Sequence, residues 1–172
     1  MNRVATGFLL VMSAILPMSA QNPQNPQNSL PGFEDRPASP KTAAVAYLFP
    51  EQVSVTADKP SQVDLHFKVA DGLHVNSHTP HTEDLIPTTL KFPEVSGVRF
   101  TKTDFPPGSD FAFAINPEEK LSVYTKEFTV HTEVVAAKGN HLVEATLHYQ
   151  ACNSNTCMPP HSIPVVIDVI AK

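Results

Sequence analysis

The sequence predicts an all-β fold, an antiparallel β-sandwich. Three observations point to it. Apolar and polar residues alternate with a period of two over several stretches, turn dipeptides punctuate those stretches, and no convincing amphipathic helix follows the N-terminal segment. Side chains on a strand point to opposite faces in turn, so a period-two run reads as a half-buried strand.

In chain order, the first expected strands are Ala44–Phe49 and Gln52–Ala57. The next has the clearest pattern: Val63, Leu65, Phe67 and Val69 alternate with Gln62, Asp64, His66 and Lys68. Asp71-Gly72 turns the chain into Leu73–His78, and Thr88–Phe92 and Val98–Thr103 flank the turn at Ser96-Gly97. After Pro107-Gly108 come Leu121–Tyr124 and the alternating run Phe128, Val130, Thr132. Gly139-Asn140 reads as the turn before Val143, Ala145, Leu147 and Tyr149, and Ser162–Ile170 closes the set. Many short strands joined by Pro-rich loops indicate two packed sheets. The pattern is not that of an antibody domain, because the chain has no Trp and its cysteines do not lie on distant strands.

The N-terminus is organised differently. Met1 to Ala20 reads as a secretory signal peptide: Arg3 gives the positive start, Phe8 to Leu16 the apolar run, and Met18-Ser19-Ala20 the small-residue cleavage region. Gln21 to Thr42 is rich in Pro, Gln and Asn and cannot bury apolar surface, which suits an extended, disordered tether. About 130 residues, 43–172, remain for one domain with a real core. The expected location is therefore periplasmic or otherwise exported, with no membrane span in the mature chain. Loss of Arg3 with the signal takes the formal charge from −5 to −6, 11 basic against 17 acidic side chains. That balance argues against nucleic acid as a partner.

The chemistry is concentrated in YQACNSNTCMPP, Tyr149 to Pro160, which holds both cysteines of the chain. Export favours a disulfide between Cys152 and Cys157. As a staple, a loop of about six residues would stabilise the fold by only roughly 2 kcal/mol. Zinc needs about four ligands, so two cysteines fall short. Cys152, Cys157 and Met158 could hold Cu(I), a soft-ligand ion, which would make the chain an exported copper-binding module. A short disulfide at a sheet end is also open to in-line attack by a partner thiolate. Exchange fits the loop best, and the staple and the copper site stay open. No Lys or Arg lies between Lys138 and Lys172, so nothing nearby in sequence favours a thiolate. The histidines of Gly72–His81 read as polar residues on a solvated strand and loop.

At this motif the sequence resembles the N-terminal periplasmic domain of the thiol:disulfide interchange protein DsbD, the disulfide bond corrector family. The resemblance rests on Leu147-x-Tyr149-Gln150-x-Cys152, then four residues, then Cys157-x-Pro159-Pro160. Upstream, Gly72–Asn76, Ile86-Pro87-Thr88, Phe105–Gly108 and Leu121–Tyr124 fall in the expected order. The resemblance implies an immunoglobulin-like sandwich that passes electrons between thioredoxin-like proteins through the Cys152–Cys157 disulfide. That makes the chain a thiol-disulfide oxidoreductase with no small-molecule substrate, cofactor or metal. It further implies that Cys157 forms the mixed disulfide with the partner and Cys152 resolves it. Tyr149 and Gln150 would position the loop, Pro159 and Pro160 would hold its far side, and Phe111 and Phe113 are candidates for an aromatic cap. The family's membrane-spanning and thioredoxin-like parts have no counterpart in this sequence. The expected partners are accordingly exported thioredoxin-like proteins or a membrane electron-transfer protein.

Overall fold

The computed structural model describes residues 43–48, 52–113 and 116–172, so the signal, the tether and Phe49 lie outside the described residues. Among these residues every regular element is a strand. They are β1 (Val45–Leu48), β2 (Val53–Val55), β3 (Ser61–Val69), β4 (His74–Asn76), β5 (Thr89–Lys91) and β6 (Val98–Asp104). They continue as β7 (Ser109–Phe113), β8 (Asn116–Tyr124), β9 (Glu127–Ala136), β10 (Gly139–Tyr149), β11 (Ala151–Cys152) and β12 (His161–Ala171).

These strands form three four-stranded sheets, ordered β1-β3-β9-β6, β2-β12-β10-β5 and β11-β4-β8-β7. The first two make an immunoglobulin-like sandwich. On β3 the residues Val63, Leu65, Phe67 and Val69 are buried, and on β10 so are Val143, Ala145, Leu147 and Tyr149, as the alternation predicts. These inward rows meet those of β9 and β12 in one core cluster that also takes in Val75, Tyr124 and Ala151 of the third sheet. Phe67 and Phe128 stack at its centre with ring centroids 5.1 Å apart.

The pairing is antiparallel throughout, except that β2 runs parallel to β12. A three-residue edge strand can satisfy its neighbour's outward amides in either direction. Gly72 takes the turn before β4 at φ 77°, a conformation costly to any residue with a Cβ. The turn expected at Gly139-Asn140 lies two residues earlier, at Ala137-Lys138. Gly139 and Asn140 already pair with Ala171 and Ile170.

The third sheet sits where chains leave the other two. β10 becomes β11 after one residue, Gln150, and β8 becomes β9 after Thr125 and Lys126. Lys126 makes that passage in the left-handed region at φ 57°, and its carbonyl accepts the Val69 amide at 2.6 Å. The sequence pattern anticipates only the buried end of β8, Leu121–Tyr124. The hairpin of β7 with the exposed stretch Asn116–Lys120 is held by its backbone ladder and shows no apolar alternation.

Candidate functional site

The strand β10 delivers its chain end to the third sheet, where β11 pairs with β4. Cys152 is the last residue of β11 and is fully buried. Four residues then reverse the chain. Asn153 Oδ1 accepts the amides of Asn155 and Thr156 at 2.8 and 2.9 Å, and the Asn153 amide donates to the Thr156 carbonyl at 2.9 Å. An Asn side chain that mimics a backbone turn in this way is a common device for reversing a chain. The reversal sets Cys157 directly opposite Cys152, with a Cα–Cα distance of 3.9 Å and the two sulfurs bonded. The Met158 amide closes the ladder by donating to the Ala151 carbonyl at 2.8 Å.

The two sulfurs are thus placed very differently. Cys152 lies on the sheet and is covered, whereas Cys157 lies beyond the turn and is exposed, as are Met158, Pro159 and Pro160. Cys157 is therefore the more accessible residue of the pair.

Strand parity says which side chains share a face with Cys152. Cys152 stands opposite His74, Asn76 opposite Val123, and Leu121 opposite Phe111. Opposed residues share a face, as do residues two apart on one strand. The side chains of Cys152, His74, Asn76, Val123, Leu121 and Phe111 therefore share the face turned away from Val75 and the main core. The His74 ring packs on Phe111 at 4.0 Å and on Phe113 at 6.1 Å, and those two rings meet edge to face at 5.5 Å. Phe111 and Phe113 are half-buried and lie outside the main core cluster.

This arrangement corrects the solvated-strand expectation for the Gly72–His81 stretch. His74, Asn76 and Ser77 are all buried, because the β7–β8 hairpin covers β4 on the side away from the core. His78 and His81 are exposed and face different carbonyls, those of Thr88 at 2.9 Å and Lys120 at 2.8 Å. Burial holds the His74 imidazole below its usual pKa, and its Nε2 is enclosed without a hydrogen-bond partner. Sequence reasoning also missed Asn76. Its Nδ2 donates to the Ile86 carbonyl at 3.0 Å and to Gln150 Oε1 at 3.3 Å. Gln150 Nε2 in turn donates to the Met158 carbonyl at 3.2 Å, which ties the segment after Cys157 back to β4. The available signal was their parity: His74 and Asn76 alternate with Val75 in the Gly72–Asn76 segment.

Tyr149 belongs to the main core, is 1% exposed, and turns its ring edge toward His161 at 6.0 Å. Pro159 and Pro160 form the exposed exit from the loop into β12. Among the described residues no group of three or more His, Cys, Asp or Glu side chains could hold a metal ion.

The sequence matches the family described as thiol:disulfide interchange protein DsbD, N-terminal, over residues 44–165. The chain belongs to this family. The match runs from β1 into the first half of β12, takes in the whole cysteine loop, and bears out the resemblance read from Leu147 to Pro160. No curated protein matches the chain in sequence. Among solved structures, it is similar to the N-terminal periplasmic domain of ScsB from Proteus mirabilis, at 15% identity and TM-score 0.50, covering 73% of this chain and 51% of that one. It is also similar to the reduced DsbD N-terminal domain of Neisseria meningitidis, at 20% identity and TM-score 0.44, covering 64% of this chain and 79% of that one. A third similar structure is the complex between the DsbD N-terminal and PilB N-terminal domains of Neisseria meningitidis, at 19% identity, TM-score 0.45 and coverage of 76% and 86%.

Proposed function

We propose that this DsbD N-terminal family domain is an exported thiol:disulfide interchange module that passes electrons between thioredoxin-like proteins. The observation that carries the reading is the unequal placement of one disulfide: Cys157 exposed past a four-residue turn, Cys152 buried on β11.

A partner thiolate attacks Cys157 Sγ, the Cys152–Cys157 bond breaks, and Cys152 leaves as a thiolate. The second thiol of the partner then attacks the mixed disulfide at the partner's sulfur. The partner ends as a disulfide, and the domain holds two thiols with the two electrons and two protons. Discharge to the next partner runs the same steps backwards, with Cys152 resolving the mixed disulfide at Cys157. In this reading Phe111 and Phe113 form the cap over the buried sulfur, and Gln150 fixes the segment that leaves Cys157. Pro159 and Pro160 stiffen the landing surface, and Tyr149 anchors the end of β10 in the core. The domain works downstream of a signal peptide at 1–20 and a tether at 21–42, as an oxidoreductase whose substrates are other proteins' cysteines. Its partners are exported thioredoxin-like proteins or a membrane electron-transfer protein.

The test is a trap. Cys152→Ala leaves Cys157 without its resolving thiol and should accumulate a dithiothreitol-sensitive mixed disulfide with an exported thioredoxin-fold protein. Cys157→Ala should accumulate none. Absence of any such adduct with Cys152→Ala refutes the relay.

A further inference from the structure

The exchange chemistry asks for a proton acceptor that the cysteine loop does not supply. Cys152 is fully buried, and a buried thiol resists ionisation. The stretch between Lys138 and Lys172 has no Lys or Arg to favour a thiolate. Yet Cys152 must act as a thiolate to resolve a mixed disulfide.

His74 stands directly across the β4–β11 ladder from Cys152, on the same face. It is 2% exposed, and its ring is fixed by contact with Phe111 at 4.0 Å. Its Nε2 has no partner in the disulfide form. A buried polar atom without a partner is uncommon and calls for an explanation. In the oxidised domain Cys152 carries no proton to share; in the reduced domain it carries an S–H. Reduction therefore creates a donor on the residue paired across the ladder from an imidazole whose buried Nε2 lacks a partner.

We propose that His74 is the acid–base residue of the exchange, taking the Cys152 proton when the mixed disulfide is resolved and returning it when Cys152 leaves. The inference rests on the exchange reading above. In resolution, His74 Nε2 accepts the proton from Cys152 Sγ, and the resulting thiolate attacks Cys157 Sγ. The Cys157–partner bond breaks, and the partner sulfur leaves with the electron pair. The proton on His74 passes to that thiolate or to solvent. The domain is oxidised and the partner reduced.

His74 pairs with Cys152 of β11 across the ladder and packs on the rings of Phe111 and Phe113 from β7, and the charged residues of β8, Glu118, Glu119 and Lys120, are exposed. Asp110, the titratable residue of β7, is exposed and pairs with Lys120 at 3.3 Å. Tyr124 of β8 lies on the opposite face with Val75. Asp71, three residues before His74, is exposed. No charged partner competes for the imidazole, and burial keeps it unprotonated near neutrality, ready to act as a base.

Glutathione disulfide tests this without any protein partner. The reduced full chain is mixed with it, quenched with acid at intervals, and the glutathione adduct on Cys157 is followed by mass. His74→Phe keeps a ring against Phe111 and removes both nitrogens. At pH 7 its adduct should resolve on the order of 100-fold more slowly than in the parent protein. The gap should narrow as pH rises toward the ionisation of the thiol itself. Equal rates at pH 7, or a slowing that is the same at every pH, overturns the proposal. If circular dichroism shows that His74→Phe does not fold, His74→Gln is measured against the same two criteria. Failure here with an adduct in the Cys152→Ala trap removes His74 and keeps the relay; failure of the trap removes the relay on which the role of His74 rests.

Discussion

Gly108 gives the sharpest test of how the β7–β8 hairpin, the proposed cover over the disulfide, is held. A Cβ at this position would lie 2.2 Å from Ser122 Oγ, 2.8 Å from Ser77 Cβ and 3.0 Å from the Val123 amide nitrogen. Only the first of these atoms can move easily. Ser122 Oγ is held in a buried 2.8 Å hydrogen bond to Ser77 Oγ, and rotating it away costs about 1 kcal/mol. Ser77 and Val123 belong to the backbone joining β4 to β8, where the Ser77 amide donates to the Ser122 carbonyl at 2.8 Å. Displacing that backbone is an overpacking cost of about 1–3 kcal/mol. Gly108→Ala should therefore destabilise the domain by about 2–4 kcal/mol. That corresponds to a fall in Tm of roughly 6–20 °C for a domain of this size. The assay is thermal unfolding of the oxidised protein, paired with the rate at which dithiothreitol reduces Cys152–Cys157. Because Gly108 opens β7, the strain should also loosen Phe111 from His74 and speed reduction. Gly72→Ala is the control: nothing lies within 4 Å of its Cβ, so only the φ of 77° is penalised, at about 1–2 kcal/mol. A Gly108→Ala protein that melts within about 1 °C of its parent would refute the packing described between β4, β7 and β8.

Two further predictions concern the cap and the outer face of the first sheet. Phe111→Ala removes the ring beside His74 and should speed reduction of the disulfide by small thiols, at about 1 kcal/mol of stability; an unchanged reduction rate would remove Phe111 from the cover. Asp64 is held below the usual carboxyl pKa, first by its hydrogen bond to His131 at 2.7 Å and then by Gln62. A depressed folded pKa means the contribution is present above the unfolded value near 4 and is lost as pH falls through the lowered one. The pair is exposed and solvent-screened, so the unfolding free energies of parent and Asp64→Asn from urea titrations should differ by about a few tenths of a kcal/mol at pH 6 and converge once the pH falls below the lowered pKa.

The legible parts of the fold are those whose signal is local. On β3 and β10 the alternating residues are themselves the inward rows, so the period shows both the strand and its buried face. The β7–β8 hairpin gave no such signal. Asn116–Lys120 is polar and exposed, and it is a strand only because β7 lies beside it. β11 is two residues long and is defined wholly by its pairing with β4. The site divides the same way. Two cysteines in one loop announce a bond, and the Leu147–Pro160 motif announced the family. The burial of His74 was only half readable: its parity against Val75 sets it on the other face of the strand, but nothing local says that a distant hairpin covers that face. Phe111 and Phe113 could have been core or cover from sequence. Their contacts with His74 set both off the main core cluster, and the cap role is the proposal built on that placement.

The position of the bond, more than its presence, supports the proposed exchange over stapling. Closing a six-residue loop constrains the unfolded chain by only about 2 kcal/mol. The same turn is already closed by Asn153 and by the Met158–Ala151 hydrogen bond. A bridge added to a turn so well held contributes little that the turn lacks. What it does contribute is an asymmetric pair of sulfurs. In-line exchange needs the attacking, central and leaving sulfurs roughly collinear, so one sulfur must face solvent and the other must lie behind it. Cys157 and Cys152 meet that condition because β11 stops at Cys152 and the turn carries Cys157 outward. In the proposed cycle the leaving sulfur stays on the ladder, a turn away from the sulfur it must attack. Resolution is then intramolecular, with the high effective concentration that such placement gives. Moving the cover, through Gly108 or Phe111, should change how readily foreign thiols reach the bond while leaving that internal geometry in place.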